Sequence, residues 1–498
     1  MNIKADNLPN NLNEVKSLCV ELIKENQRLE QTLRLMGRRS SGAKSESWLH
    51  PDMKPLFPDQ PQAKENPNPQ KAKPKLSEGK KERKPYPEEL ERIDVKLDVP
   101  ESELVCDKCE NEIRLKKVGE TVTEKLHLIP AKVTVKRYIK CSYSCPKCER
   151  MIAPKSEAHP LPNSGVTIES LAHIATSKYC DSLPLYRQQQ IYSRSGVDVS
   201  RDNMARWMIQ VSDQLKPIYD RLHDLQIKNT TMHIDETSLQ VLKESGRKAS
   251  AKSFLIEKIK EGPPGQSIVL FHYSSSRSME VIDKLTAGFK GILLSDGLLV
   301  YSTLASKRQG LIHCGCWSHA RRKFIDAQKS LKHPNREGSL AIEAIKDIDL
   351  LFDIERDIKT HTITEKEKQR HQRSKPILER LEKWIGENLN AVPKKSQTGR
   401  ALHYLNEQWP KLVRFVNHPE IPIHNNTAER EIRQIAIGRK NFLFCQSTKG
   451  AHATAVLYSL LSTAKMNKLN PYEYMVQALT GIAHKADIET LLPFNPTI

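Results

Sequence analysis

The chain has 498 residues, a formal net charge of +19 and a hydrophobic fraction of 38%. This length exceeds one ordinary domain, and the basic excess favours a polyanionic partner, with nucleic acid as the first candidate. No apolar run approaches the length of a membrane span and the first residues lack a signal-peptide core. We therefore expect a cytoplasmic protein with no membrane partner, whose ten cysteines stay reduced.

Residues 1–36 predict a coiled-coil dimerisation helix. Apolar residues recur every seven positions in two interleaved sets between positions 12 and 36, and Asn26 falls within one of these sets. A buried Asn at such a position fixes the register and favours a dimer. We therefore expect a homodimer or a higher oligomer. The alternative is a single amphipathic helix that packs on its own domain.

Residues 37–90 predict a flexible basic linker. Nine prolines lie between Pro51 and Pro87, among many lysines and few large apolar residues. Such a segment cannot bury enough apolar surface to offset the entropy that ordering costs. The linker either touches the DNA backbone without sequence preference or is only a solvated tether.

Residues 91–160 predict a zinc-ribbon-like domain. Two Cys-x-x-Cys knuckles offer four thiolates for a tetrahedral structural Zn²⁺. The predicted ligands are Cys106, Cys109, Cys145 and Cys148, and Cys141 could replace Cys145. The 35 residues between the knuckles include VTEKLHLI and KVTVKRYIK, which predict a hairpin of two strands. The alternative is a set of unligated cysteines.

Residues 161–228 predict a helical, helix-turn-helix-like DNA-binding domain. Two segments have a helical pattern, Gly196 marks a turn, and Ser200 can cap a helix that begins at Arg201. A helix, a short glycine-containing turn and a second helix fit such a motif. Arg201, Asn203 and Arg206 would then face DNA. In the alternative, a helical connector, these side chains are only solvated.

Residues 229–445 change to a pattern of strands and helices. The predicted strands are TTMHIDETSLQVL, KSFLIEKI, SIVLFHY, KGILLSDGLLVYSTL and LIHCGCW. Helices are predicted at SMEVIDKLTAGF, after the third strand, and at SHARRKFIDAQ, after the fifth. Three strands, a helix, a strand, a helix and a final strand would be close to the order of a ribonuclease H-like fold.

Three acids in this region predict a metal site. Asp235 lies in the first strand and Asp296 at the end of the fourth. Acids are poor strand residues, and two close carboxylates repel each other unless cations bind them. Oxygen ligands suit Mg²⁺ or Mn²⁺, and two such ions support phosphoryl transfer. Glu429 is the predicted third ligand; the alternative is that it closes a capping box with Asn426.

Several motifs follow one another along the chain. They are CDKC, CPKC, DSLPLYRQQQIYSRSGVDVSRDNMARWM, HIDET, LLSDG, CWSHARRKF, NNTAEREIRQIAIGRKNFLF and NPYEYMVQALTGIAH…LLPFN. In this order they resemble the insertion sequence 66 type of bacterial transposase along almost the whole chain. The resemblance implies a nucleoid-associated DDE transposase whose acids are Asp235, Asp296 and Glu429.

The resemblance also implies the domain organisation of a multidomain α+β protein. It implies a ribonuclease H-like catalytic domain at 229–445, a helical insertion at about 317–395, a C-terminal helical region at 446–498, and small accessory proteins encoded by the same element. Two features depart from the family pattern: His424 stands where Asp is common, and HIDETSLQV lacks a Trp. The three acids are unaffected.

Basic residues around the acids are predicted to contact DNA phosphates. Arg433 lies one helical turn after Glu429, and it either pairs with this acid or holds a phosphate. The other candidates are His319, Arg321, Arg322, Arg439 and Lys440. For each of them the alternative is a basic side chain that is only solvated.

The expected activity is cleavage of the element's DNA ends, followed by attack of the freed 3′-hydroxyl on target DNA. No covalent protein–DNA intermediate is needed. The alternatives are a ribonuclease H-like nuclease or resolvase that cuts without joining, a non-catalytic zinc DNA-binding protein, and an inactive copy. The presence of all three acids argues against a non-catalytic binding protein.

Overall fold

The structure is a computed structural model that describes residues 92–95, 122–123, 125, 132–144, 146–148, 151–162, 164–262, 265–331 and 338–494. The predicted coiled-coil helix (1–36) and linker (37–90) lie outside the described residues. So do three predicted zinc ligands, which are Cys106, Cys109 and Cys145.

Two short strands flank the second cysteine knuckle. β1 (Tyr143–Ser144) pairs in antiparallel register with β2 (Met151–Ile152), and residues 146–148 form a turn between them. KVTVKRYIK, predicted as a strand, forms no strand within the described residues 132–140, so this prediction is wrong. Its Val135 and Ile139 are 86% and 79% exposed, and the strand preference of such residues depends on packing against a partner.

A mixed sheet forms the centre of the fold. Its strands are β3 (Thr231–Lys243), β4 (Lys252–Lys260), β5 (Ile268–Ser274), β6 (Gly291–Ser295) and β7 (Leu311–Gly315). The sheet order is β5-β4-β3-β6-β7, with antiparallel pairing among the first three strands in sequence and parallel pairing among β3, β6 and β7. A short strand, β8 (Cys445–Ser447), pairs in parallel with the end of β3. Most of these strands have nearly continuous apolar sequences, as is typical of strands that are covered on both faces of the sheet.

Helices precede the sheet, connect its strands and follow it. They are α1 (Ile168–Tyr179), α2 (Leu185–Arg194), α3 (Arg201–Ile227), α4 (Met279–Leu285), α5 (Leu299–Lys307), α6 (Trp317–Ser330), α7 (Leu340–Asp357), α8 (Ile363–Gln369), α9 (Lys375–Asn388), α10 (Gln397–Leu412), α11 (Asn426–Phe442), α12 (Thr448–Met466) and α13 (Pro471–Ala483). A π-helix (Arg370–Ser374) joins α8 to α9, and 3₁₀ turns lie at Val413–Asn417 and Ile488–Leu491. No helix in the described part of the chain combines the length and the apolar character of a membrane span.

The predicted start of α3 is confirmed. Ser200 Oγ accepts a hydrogen bond of 3.2 Å from the N–H of Asn203, as an N-cap does. The preceding turn contains Gly196 at a φ of 78°, a backbone conformation that glycine adopts without steric cost. The sequence therefore predicted both helices and the turn that joins them.

The fourth predicted strand is only partly a strand. KGILLSDGLLVYSTL spans residues 290–304, but β6 ends at Ser295 and α5 begins at Leu299. Asp296 Oδ1 accepts a 2.9 Å hydrogen bond from the N–H of Leu298, and this Asp turn ends the extended backbone. The acid that interrupts the apolar run therefore reverses the chain rather than ending a longer strand.

A helical insertion separates β7 from α11 and has a hydrophobic core of its own, which includes Phe324, Ile348 and Leu405. The insertion is longer than predicted, because helical structure continues to Asn417 rather than ending near residue 395. Its two ends meet, since the N–H of Trp317 donates to the carbonyl of Ile423 at 2.9 Å.

Helix α12 covers the sheet edge at β5. Three polar side chains one helical turn apart, Ser459, Thr463 and Asn467, accept hydrogen bonds of 2.8–3.0 Å from the N–H groups of Phe271, Val269 and Ser267, respectively. Four residues of a helix rise about 6.0 Å and two residues of a strand about 6.6 Å, so the two repeats match. An exposed edge would otherwise offer these N–H groups to another chain.

Arg370 links the π-helix to the end of the insertion. Its side chain is almost fully buried and donates two hydrogen bonds of 2.7 Å to the carboxylate of Glu355. It also donates to the carbonyls of Phe415, His418 and Ile421 at 2.8–2.9 Å. One guanidinium therefore satisfies three carbonyls on the segment that leads back to the sheet.

We predict that Arg370→Met lowers the free energy of unfolding by about 3–5 kcal/mol, because it leaves three carbonyls and a largely buried carboxylate unpaired. Arg373→Met is the matched control, since the exposed Arg373 pairs with Asp357 at 2.6 Å and its loss should cost less than about 1 kcal/mol. Urea denaturation of both variants measures the difference. Equal losses would show that Arg370 is not a structural link.

Candidate active site

The adjacent ends of β3 and β6 bring Asp235 and Asp296 side by side. His233 on β3 is in parallel register with Leu294 on β6, and each acid follows two residues later. Neighbouring strands lie about 4.8 Å apart and residues in register share a face of the sheet. The two carboxylates therefore lie close together at one end of the sheet.

Glu429 reaches the same site from the first turn of α11. Its N–H donates to the carbonyl of Asn425 at 3.1 Å. The helix begins at Asn426, so the N-cap is Asn425, and three residues after this cap comes Ala428 rather than an acid. The alternative that Glu429 closes a capping box with Asn426 is therefore wrong.

Asn425 ties the start of α11 to both neighbouring elements. It is fully buried, and its Nδ2 donates to the carbonyl of Ile234 at 3.0 Å. Its Oδ1 lies 2.8 Å from His233 Nδ1, and its backbone N–H donates to Cys316 Sγ at 3.1 Å. These contacts fix the helix start against β3 and against the segment that enters α6. The neighbouring His424 stacks its ring on Phe352 at 5.9 Å.

Burial and the neighbouring carboxylates raise the proton affinity of Asp235. The pKa of Asp235 is raised to about 8, chiefly by burial and also by the carboxylates of Glu236, Asp296 and Glu429, while a 2.8 Å hydrogen bond from the N–H of Glu236 opposes the shift. Divalent cations relieve repulsion of this kind. The donor set, carboxylate oxygens without a counter-charge on Asp235, therefore suits a hard cation.

Glu236 points to the other face of the sheet, as the alternation of a strand requires. It accepts a hydrogen bond from the hydroxyl of Tyr301, and Arg277 lies 3.8 Å away. Burial raises the pKa of Glu236. This second acid of the HIDET motif thus anchors α5 rather than joining Asp235.

Two predicted basic residues lie directly at the acids. Arg322 donates to Glu429 Oε2 at 2.6 Å, and His319 Nδ1 lies 3.6 Å from Glu429 Oε1. Both residues come from the first turns of α6. Arg321 on the same helix is buried and forms a bidentate pair with Asp349, at 2.6 and 3.2 Å. Arg321 therefore has a structural partner inside the insertion and is not exposed.

The remaining predicted DNA contacts spread over two helices. On α11, Arg433 and Lys440 are exposed, whereas Arg439 is half-buried and donates to Thr237 Oγ1 at 3.1 Å and to Ser238. On α3, Arg201 and Arg206 are exposed, and Arg206 donates to Asn203 Oδ1. An open groove of about 720 Å³ lies beside Arg201, between α2 and α3. Among these residues, Arg439 is the one whose described hydrogen bonds reach β3, the strand that carries Asp235.

A further buried acid, which the sequence analysis missed, lies beside Asp235 on the neighbouring strand. Glu257 on β4 stands opposite Asp235 in the antiparallel register. It is fully buried, and neither of its carboxylate oxygens has a hydrogen-bond partner in the described part of the chain. Burial, with Glu431 of α11 and Asp235 as further causes, raises its pKa well above the ordinary value. An acid inside the apolar run SFLIEKI was the available signal.

Comparison with known proteins identifies the family of the chain. Residues 164–453 match the model of the transposase IS66 family, and residues 103–149 match the zinc-finger binding domain of transposase IS66. The chain belongs to the IS66 transposase family. It is also similar to two proteins of Sinorhizobium fredii (strain NBRC 101917 / NGR234) that are named uncharacterized proteins y4jD and y4qI. Identity is 31% over 422 residues for y4jD and 32% over 426 residues for y4qI.

These alignments cover most of this chain and most of each relative. They cover 82% and 83% of this chain, and 81% and 77% of y4jD and y4qI, respectively. The IS66 zinc-finger match contains both predicted cysteine knuckles. Of the predicted zinc ligands, the described residues include Cys148, which is exposed, as is the spare Cys141.

We predict that Asn425→Ala lowers the free energy of unfolding by at least about 2 kcal/mol. The change leaves the carbonyl of Ile234 and a ring nitrogen of His233 without their partner in a buried site. Asn441→Ala is the control on the same helix, because Asn441 donates one hydrogen bond of 3.0 Å to the carbonyl of Ser182. Urea denaturation should give a smaller loss for the control. The role assigned to Asn425 fails if the two losses are alike.

We also predict that Glu257→Gln makes stability less dependent on pH. The folded-state pKa of Glu257 is raised, so between pH 4.5 and that raised value the folded chain holds a proton that the unfolded chain has lost. Stability therefore falls as pH rises across this window. The variant should remove up to about 1.4 kcal/mol per pH unit from the slope. Urea midpoints between pH 5 and 8 measure it, with the exposed Glu367→Gln as the control; an unchanged slope in Glu257→Gln contradicts the assignment.

Proposed function

We propose that this IS66 family member is a DDE transposase that cuts the ends of its element and joins the freed 3′-hydroxyl to target DNA. The observation that carries the proposal is the convergence of Asp235, Asp296 and Glu429 from β3, β6 and α11. The strand order β5-β4-β3-β6-β7 supports a ribonuclease H-like catalytic core. The net charge of +19 supports DNA as the partner.

Asp235, Asp296 and Glu429 would hold two Mg²⁺ or Mn²⁺ ions. Such ions supply an activated water or hydroxyl and stabilise the leaving oxygen of the phosphodiester. The raised pKa of Asp235 supports this use, because carboxylates crowded without a counter-charge favour cation binding. Glu429 Oε1 has no hydrogen-bond partner within the described residues, and it is available as a ligand atom.

The protein's own side chains orient this site and receive the DNA. Arg322 holds Glu429 Oε2 at 2.6 Å, which fixes the direction of the other carboxylate oxygen. Arg433 and Lys440 are exposed on the helix that carries Glu429, and we assign them to phosphate contacts. Arg439 is assigned mainly to anchoring α11 on β3, since it bonds Thr237 and Ser238.

The other parts of the chain are assigned to binding and assembly. Cys106, Cys109, Cys145 and Cys148 would form a structural Zn²⁺ site within the IS66 zinc-finger match. The helices α2 and α3 would form a helix-turn-helix-like unit, with Arg201, Asn203 and Arg206 toward DNA. The heptads at 12–36 support a homodimer or higher oligomer. Small accessory proteins encoded by the same element are further proposed partners.

The test uses purified full-length protein with a DNA duplex that carries the native element ends, in Mg²⁺. Asp235→Asn, Asp296→Asn and Glu429→Gln should each lower end cleavage at least about a thousand-fold, because each removes a metal ligand, while DNA binding persists. Glu280→Gln, an exposed acid on α4, should cleave as the wild type does. Full cleavage by any of the three acid variants would overturn the assignment of that acid.

Strand joining separates a transposase from a nuclease or resolvase. Both classes need the same three acids, and only a transposase covalently joins a 3′-hydroxyl end to a second duplex. Transposition of a marked element in cells, with the wild type and Asp235→Asn compared, is the matching measurement. Cleavage without any joined product would favour the nuclease.

A further inference from the structure

Three side chains of different chemistry meet at the start of α6. The Sγ of Cys316, a ring nitrogen of His319 and a carboxylate oxygen of Glu429 all lie within 4.8 Å of one another. Cys316 is the N-cap of α6 and His319 follows three residues later, so the two side chains lie on one face of the first helical turn. Glu429 completes the group from α11.

Two atoms of this group accept or donate no hydrogen bond within the described residues. Within the described residues, His319 Nδ1 and Glu429 Oε1 are both shielded from solvent and without a hydrogen-bond partner. They lie 3.6 Å apart. Two ligands bonded to one tetrahedral ion at about 2.0–2.1 Å are separated by about 3.3 Å, so a shift of a few tenths of an ångström would bring both into coordination.

The surrounding contacts hold the ligands without using these atoms. Arg322 takes the other carboxylate oxygen, Glu429 Oε2, at 2.6 Å. The backbone N–H of Asn425 donates to Cys316 Sγ at 3.1 Å, a contact that also suits a thiolate bound to a metal. The ligand atoms therefore come from elements that are already fixed to each other.

We propose that Cys316, His319 and Glu429 form a binding site for a thiophilic divalent cation of the Zn²⁺ class. Sulfur and imidazole nitrogen select such ions, whereas Mg²⁺ prefers oxygen alone. Three protein ligands leave a fourth tetrahedral position for water or a DNA oxygen. Binding would release the thiol proton of Cys316 to solvent. The site is distinct from the cysteine knuckles.

The proposed ion shares Glu429 with the acids of the proposed active site. An ion held by Cys316 and His319 uses Glu429 Oε1, and this atom is the one left open by Arg322. Zn²⁺ and the hard cations of the proposed reaction would therefore compete for the same carboxylate oxygen. The binding itself does not depend on DNA cleavage, so it is measurable whether or not the proposed function holds.

The experiment measures Zn²⁺ bound per chain, without DNA, on full-length protein stripped of metal and then loaded. Cys316→Ala should bind one equivalent fewer than the wild type. Cys314→Ala is the matched control, because Cys314 is also buried, two residues earlier, and should keep the wild-type stoichiometry. Co²⁺ loading gives a second readout: the thiolate-to-metal absorption should fall by one thiolate in Cys316→Ala.

His319→Ala tests the same site in case Cys316→Ala misfolds, since His319 is less buried than Cys316. It should lose the same equivalent and keep the wild-type circular dichroism. Equal stoichiometry in the wild type, Cys316→Ala and His319→Ala would overturn the proposal. That result would leave the test of the three acids in Mg²⁺ untouched.

Discussion

A single buried amide, the side chain of Asn425, holds together the elements that carry Asp235 and Glu429. Its donor and its acceptor both bond the strand of Asp235, and its backbone N–H bonds the cysteine that begins α6. An unpaired amide in such a place would cost more than its bonds contribute, so the helix start has one favourable position. The geometry at Glu429 follows from it, and so does the meeting of Glu429 with Arg322 and His319.

Electrostatic strain is the second constraint on this part of the molecule. The chain is strongly basic overall, yet Asp235, Glu236, Glu257 and Glu431 are withdrawn from solvent around β3, and burial raises the pKa of each. Like charges that share a low-dielectric region keep protons unless cations replace them. The fold therefore gathers acids around β3 that favour either bound protons or bound cations.

Sequence reasoning predicted the strands β3 to β5, most helices, and Asp235 and Asp296 near the ends of neighbouring strands, because each depends on local signals. Apolar periodicity predicted β3 to β5, and Ser200 marked the start of α3. Sequence reasoning failed where contacts between residues far apart in the sequence determine the structure. Nothing near Asn425 reveals that its partners are Ile234 and Cys316, and KVTVKRYIK had strand residues without a strand to pair with. Arg321 and Arg322 are adjacent in sequence, yet one is bound inside the insertion and the other holds Glu429.

The hydrogen bond between Trp317 and Ile423 closes the helical insertion where it began. The insertion therefore leaves and rejoins the rest of the fold at nearly the same point, like a long loop whose two ends touch. The entropy of closing such a loop grows only with the logarithm of its length, about 0.6 kcal/mol for each doubling. Lengthening the insertion therefore adds little to the entropy of closing it. A segment with this property can diverge in size and surface between relatives while the carboxylates keep their places.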